Sequence, residues 1–317
     1  MSSTRLNRTI PFLNWLSAAM VVVSLLMTFF FAPNEITMGN VQRIFYFHVG
    51  SAWVAAVAYF VALVAGVLYL RRPERRWDTL AMASVEIGLV FTTMTTAAGS
   101  IWGRPAWNTW WLWSPRLTLI TVMWLVYVAY FMLRGAVEDE GKRGRFAAVY
   151  VIAAFVTVLM TYFSVRLLRD IHPVVFGGTL ESAQGATEGL QEIAPGLDSA
   201  RMGITLTVAT LTFSLLYLTW LLNRIRLQGL MDEVTVLKMK ARELLVGHVG
   251  NVTGPVGNVT YVGVLWQAAD PNQFNNYMLL GYVVMWLIGL GYVYYLANRQ
   301  RNLRQDILLL RQLLQEE

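Results

Sequence analysis

Seven runs of apolar residues, each long enough to cross a bilayer, constrain this chain more than any other feature. A hydrocarbon core about 30 Å thick requires roughly 20 apolar residues per helix. Six runs of that order, bounded by charge, Gly or Pro, precede residue 225, at approximately 12–32, 51–70, 79–101, 117–133, 146–168 and 202–222. A seventh covers about 277–297. Of the 317 residues 56 % are hydrophobic and only 14 % charged, too few charges for the surface of a soluble globule of this size. The expected fold is an all-α integral membrane protein, a six-helix transmembrane bundle with a seventh C-terminal spanning helix. Arg5 and Arg8 precede the first run as they would a signal peptide. Its apolar stretch is long for one, however, and Phe29, Phe30, Phe31 and Pro33 stand where small cleavage-site residues belong, so it reads as a span.

Orientation follows from Lys and Arg, which keep short loops on the cytoplasmic side. Arg5 and Arg8, then Arg71, Arg72, Arg75 and Arg76, then Arg134, Lys142, Arg143 and Arg145 fall on alternate connections, which are expected to face the cytoplasm. The outward set is then 33–50, 102–116 and 170–200, the last acidic through Glu181, Glu188, Glu192 and Asp198. The net charge of +6 reflects this bias and the C-terminal tail, so it is no argument for nucleic-acid binding. Cys is absent, which removes disulfides, thiolate metal ligands and covalent CxxCH haem attachment.

The outward set carries the unusual chemistry. Trp102, Trp107, Trp110, Trp111 and Trp113 fall within twelve residues between two spans. One or two tryptophans there would be an interfacial aromatic belt. Five offer a broad apolar surface with single N–H donors, able to stack a planar ligand. Arg104 and Arg116 bracket the cluster and suit carboxylates, or alternatively lipid phosphates. Two of the three histidines are also outward: His48, in the block Gln42-Arg-Ile-Phe-Tyr-Phe-His48, and His172, in Asp170-Ile-His172-Pro. Both are expected at helix ends and at the same depth. A lone His there is usually a hydrogen-bonded surface residue, but two beside a tryptophan platform suggest a pair of metal ligands, since neutral imidazole binds haem iron.

Together, the Arg-to-His48 block, the tryptophan loop ending in Arg116-Leu117-Thr118 and the Ser164-Val to Ile-His172-Pro block resemble the haem-handling membrane proteins of cytochrome c maturation, the CcmC/CcsA or WWD-domain family. The resemblance covers about residues 10–225 and lies closest to its CcmC branch. It implies that His48 and His172 are axial ligands of haem b, carried non-covalently as cargo against Trp102, Trp107, Trp110, Trp111 and Trp113, with Arg104 and Arg116 as counter-charges. It further implies delivery of haem to the chaperone CcmE, the CcmA/CcmB transporter subunits as partners, residence in the bacterial cytoplasmic membrane with the site outward, and no enzymatic turnover. One departure stands out: the family pattern has Asp after the last Trp of this loop, where this chain has Ser114. A neutral hydroxyl replaces an acid there, which bears on handover more than on haem binding.

Three domains are expected: a haem-handling unit over 1–225, an amphipathic helix and linker over 226–275, and a spanning helix with a basic, leucine-rich tail over 276–317 that resembles CcmD, as if fused. Leu227, Leu230, Val234 and Leu237 mark the first of two short cytoplasmic amphipathic helices. A topological conflict follows. Both this stretch, with Lys238, Lys240 and Arg242, and the tail, with Arg299, Arg301 and Arg304, belong in the cytoplasm, so 244–268 would have to cross despite His248, Asn251, Pro255 and Asn258. His248 reads as a linker residue. Glu86 is an ionisable residue within a span and is read first as structural, and second as a part in moving haem. Arg166 faces either propionates or the interface. Two other classes are open: a b-type cytochrome, which would pair histidines within spans, and a permease, which would show polar residues near the midplane and an internal repeat.

Overall fold

Each apolar run forms a helix in the computed structural model, which describes residues 3–34, 39–168, 172, 200–245 and 274–314. In chain order these are α1 (Ser3–Leu26, ending in a π-turn Met27–Phe31), α2 (Ile44–Arg71, entered through a 3-10 turn Asn40–Arg43), α3 (Arg75–Trp107), α4 (Pro115–Ala136), α5 (Glu140–Leu167), α6 (Ala200–Leu245) and α7 (Phe274–Leu313). All seven are long and apolar enough to cross a membrane. Local chemistry sets their ends. Asp139 caps α5 by accepting from Lys142 N at 2.7 Å, and Pro115, whose missing N–H costs nothing in a first turn, opens α4.

The centre of the bundle is the α2–α3 pair, which share the most extensive contact, with α5 and α6 also against α2. Gly88 permits this closeness: a Cβ there would lie 2.6 Å from Cε1 of Tyr59, a buried ring that stacks on Tyr127 at 3.7 Å and bonds Thr92 at 2.9 Å. α4 leans chiefly on α5 and meets α3 only sparingly, which leaves room between α3 and α4 at one end of the bundle. At the opposite end ion pairs join the helices: Arg134 NH1 to Asp78 at 2.5 Å, and Arg75 to Asp232 at 2.5 Å and to Glu140 at 3.1 Å. The basic loops lie at this end, so the wider, tryptophan-bearing end is the other.

Glu86 has a structural account. Arg224 Nε of α6 donates to its Oε2 at 2.7 Å, and the hydroxyl of Tyr292 on α7 donates to Oε1 at 3.1 Å. The acid thus ties three helices together inside the bundle.

The two amphipathic stretches are not separate helices. Residues 225–245 continue α6 without a break, and residues 298–313 continue α7, so α6 has 46 residues and α7 has 40. At about 1.5 Å per residue, both are roughly twice as long as a hydrocarbon core is thick. The two run parallel. Trp220 packs on Tyr292 with ring centres 5.2 Å apart, Gln300 bonds Asn223 O further on at 2.9 Å, and Arg311 pairs with Glu233 at 2.6 Å beyond that. Leu227, Val234, Leu303 and Ile307 form the buried seam between the projecting ends. Both basic ends therefore lie on one side, as the charge rule requires. The boundary expected at 225 falls within a continuous helix, and the crossing expected between 244 and 268 lies, after Leu245, outside the described residues, as does His248.

Candidate haem-binding cavity

The tryptophan segment is only partly a loop. α3 continues through Trp102, Gly103, Arg104, Pro105 and Ala106 to Trp107, and stops where Asn108 turns left-handed at φ 55°. Asn is one of the few side-chain-bearing residues that accept that conformation readily. Arg104 donates to the carbonyl of Asn108 and, at 2.7 Å, to its Oδ1, so its guanidinium secures the end of α3. Residues 108–114 then return to α4. Ser100 Oγ donates to Trp110 O at 2.7 Å and Thr109 Oγ1 to Trp111 O at 3.0 Å, which holds this turn over the helix ends. Trp110 also meets Tyr277 of α7 edge-on at 5.5 Å.

His48 is placed deeper than expected. It belongs to the first turns of α2 and lies half-buried against α3, rather than on a loop preceding the helix. Its Nδ1 is 3.0 Å from the backbone carbonyl of Thr95. That oxygen only accepts, so Nδ1 carries the proton and Nε2 keeps its lone pair. His172, beyond the end of α5, comes to the same place: its ring is 6.2 Å from that of His48 with 33° between planes, and 6.4 Å from Trp107. A metal–imidazole bond of about 2 Å on each side, plus the ring radii, would set two axial imidazoles roughly 6 Å apart between centres.

Both histidines line one cavity, which encloses about 940 Å³ of empty space when its open mouth is included. Of the expected residues, His48, His172, Trp102, Trp107, Trp110, Trp111 and Arg116 line it. Arg104 and Trp113 do not: the first is engaged at the end of α3, and the second, 74 % exposed, packs edge-on against Trp111 at the outer surface. The sequence reading missed Thr95, Gly99 and Ser100 of α3 and Tyr162 of α5. The first two had a signal, since Thr95, Gly99 and Trp102 repeat at helical spacing on one face. Tyr162 had none. Its hydroxyl donates to Ala52 O and its ring lies 5.9 Å below the Arg116 guanidinium, setting a cation against the cavity wall.

The lining is mostly apolar and aromatic with few polar groups, which suits a flat hydrophobic molecule with acidic substituents. The indole N–H groups of Trp102 and Trp107 are buried without a hydrogen-bond partner among the described residues. Among the described residues no group of three or more metal-ligating side chains converges, so the cavity offers two imidazoles rather than a full shell for a bare ion. Asp170 and the side chain of Arg166 lie outside the described residues.

Comparison with known proteins gives a consistent picture. The family model described as heme exporter protein C matches residues 2–240. Heme exporter protein C of Escherichia coli K12 is 33 % identical over 208 residues, covering 63 % of this chain and 80 % of the relative. That of Bradyrhizobium diazoefficiens is 31 % identical over 231 residues, covering 72 % and 82 %. A putative cytochrome c biosynthesis ccmC-like mitochondrial protein of Marchantia polymorpha is 26 % identical over 158 residues, covering 50 % and 65 %.

Proposed function

The chain belongs to the heme exporter protein C (CcmC) family, and from that premise we propose that it holds haem on the outer face of the cytoplasmic membrane and hands it to the chaperone CcmE for c-type cytochrome maturation. The supporting observation is the pair of imidazoles 6.2 Å apart in a tryptophan-walled cavity. Haem b is cargo: iron between His48 and His172, porphyrin against Trp102, Trp107, Trp110 and Trp111, propionates toward Arg116. Trp113 stands outside the cavity at the surface, where an acceptor would approach. Arg104 stands apart from the cargo and secures the end of α3. Positively charged loops gather at the far end of the bundle, which supports an outward-facing site.

The protein's part is binding and release, without turnover of its own. Its residues shield the porphyrin from water and supply two neutral nitrogen ligands, one of which a competing ligand would have to displace. Ser114, at the start of α4, supplies a hydroxyl where the family pattern has an acid, so handover here proceeds without that carboxylate. Any ATP-driven step falls to the CcmA/CcmB subunits. Residues 1–225 are the haem-handling unit, and α7, from the 276–317 segment beyond the matched residues, plays the part of CcmD against α3 and α6.

The test is transfer. Haem-loaded protein in detergent is mixed with apo-CcmE, and haem is followed through size-exclusion chromatography. Movement of haem to CcmE supports the proposal. Retained haem that instead passes electrons to a quinone would mark a b-type cytochrome and sink it.

A further inference from the structure

α7 lies past residue 240, where the match to the family ends, yet its first turns pack against the wall of the cavity. Tyr277 meets the indole of Trp110 edge-on at 5.5 Å. One turn on, Gly281 fits between α2 and α3: a Cβ there would lie 3.1 Å from Cδ1 of Ile44 and 3.6 Å from Cγ2 of Ile101. Tyr282 follows, its hydroxyl donating to Arg43 O at 3.1 Å and its ring meeting that of Phe47 at 4.8 Å. These contacts fall on a cavity residue or on the neighbour of one. Trp110 lines the cavity itself, Ile44 precedes Phe45, Phe47 precedes His48, and Ile101 precedes Trp102. α7 therefore braces the wall from outside, through α2, α3 and the turn between α3 and α4.

We propose that this end of α7 is a working part of the haem site, with Tyr277 as the positioning residue that sets the Trp110 indole for the porphyrin, and Gly281 and Tyr282 as the seat that brings it there; the proposal rests on the haem-binding reading above. Trp110 is where such support counts. Its side chain is 42 % exposed, and the bond from Ser100 Oγ to its carbonyl fixes the main chain while leaving the two side-chain torsions of the indole to packing. An indole already set against Tyr277 loses little freedom when a flat ligand stacks on it, so more of the stacking shows as affinity. The haem site of this chain is thus completed by a segment that lies beyond the family match. Its contribution is made at one end of α7 only. The ties from Gln300 to Asn223 O and from Arg311 to Glu233 hold the same helix to α6 at the other.

The experiment titrates full-length apoprotein in detergent with haem and follows thermal unfolding alongside. Tyr277→Ala is expected to weaken haem binding about 3–10-fold, the range for ordering one side chain on binding, while Tyr277→Phe, which keeps the ring, stays within about twofold of wild type. Tyr277→Leu, which keeps apolar bulk without the flat ring, is expected to weaken binding as well, so the comparison survives if the Ala variant does not fold. In a Trp110→Ala background Tyr277→Ala should have no further effect, because the two residues act through one contact. Gln300→Ala separates positioning from a general loosening of α7. It cuts a tie about 35 Å along the helix from Tyr277, and is expected to lower the unfolding midpoint while leaving haem affinity within about twofold. Unchanged affinity in Tyr277→Ala, an equal loss in Gln300→Ala, or an undiminished Tyr277→Ala effect in the Trp110→Ala background would overturn the role of Tyr277. Wild-type protein that binds no haem would overturn the underlying reading instead.

Discussion

Replacing Glu86 with Ala tests the bundle where an error would be most visible. The Glu86 and Arg224 side chains are 20 % and 8 % exposed and meet at 2.7 Å. Without the carboxylate, Arg224 keeps, among the described residues, only Gln228 Oε1 at 3.3 Å, and the hydroxyl of Tyr292 loses the Glu86 acceptor. Breaking a buried pair from one side costs about 3–5 kcal/mol, because a charge is left uncompensated in a poor solvent for it. At the few degrees per kcal/mol usual for chains of this order, the unfolding midpoint in detergent should fall by roughly 10 °C at a fixed scan rate. Glu86→Gln retains an acceptor and should lose about 1–3 kcal/mol. Glu86→Leu combined with Arg224→Met should recover most of the loss, since replacing both partners with apolar groups is often neutral. Haem content of the folded fraction should be unchanged throughout. A midpoint within a degree or two of wild type for Glu86→Ala, or loss of haem at an unchanged midpoint, would refute the structural account and return Glu86 to a part in moving haem.

Three further outcomes are expected. Trp107→Ala, in the cavity wall beside His172, should weaken haem binding about tenfold or more, while Trp113→Ala should leave affinity within about twofold; haem titration of the apoprotein compares them. Arg116→Ala should cost about 1.5–3 kcal/mol of haem binding through a lost charge-assisted bond, whereas Arg104→Ala should leave affinity intact and cost about 1 kcal/mol of stability by loosening the end of α3, read from titration and thermal unfolding together. Gly88→Ala should destabilise by about 1–3 kcal/mol, because its Cβ meets the Tyr59 ring, held by its stack on Tyr127, and thermal unfolding measures this directly.

The spans were legible because lipid imposes one rule on every residue of a run, so hydropathy alone located all seven. His48, His172 and the tryptophans stood out because two histidines and five clustered tryptophans fall on one side of the chain, and the fold brings both histidines and four of the tryptophans to one cavity. What local sequence concealed depends on partners far along the chain or on helix ends. The 102–116 stretch read as a connection between spans, yet α3 runs through Gly103 and Pro105 to Trp107. That extension assigned Arg104 to Asn108 rather than to the cavity. The Glu86 partners lie 138 and 206 residues away, beyond any periodicity. Polar heptad-like stretches after residues 224 and 297 read as new helices because their composition changes abruptly, although nothing there interrupts the backbone. Thr95 and Gly99 were within reach of a helical-face argument, and became informative only once His48 was seen to lie against them.

The central claim is that His48 and His172 bind iron from opposite faces of one haem. The most direct measurement is the absorption spectrum of the haem-loaded, detergent-purified protein, wild type against the variant carrying His48→Ala and His172→Ala together. The account predicts a six-coordinate, low-spin bis-histidine spectrum in wild type that is absent from the double variant. An identical spectrum in the double variant would contradict it.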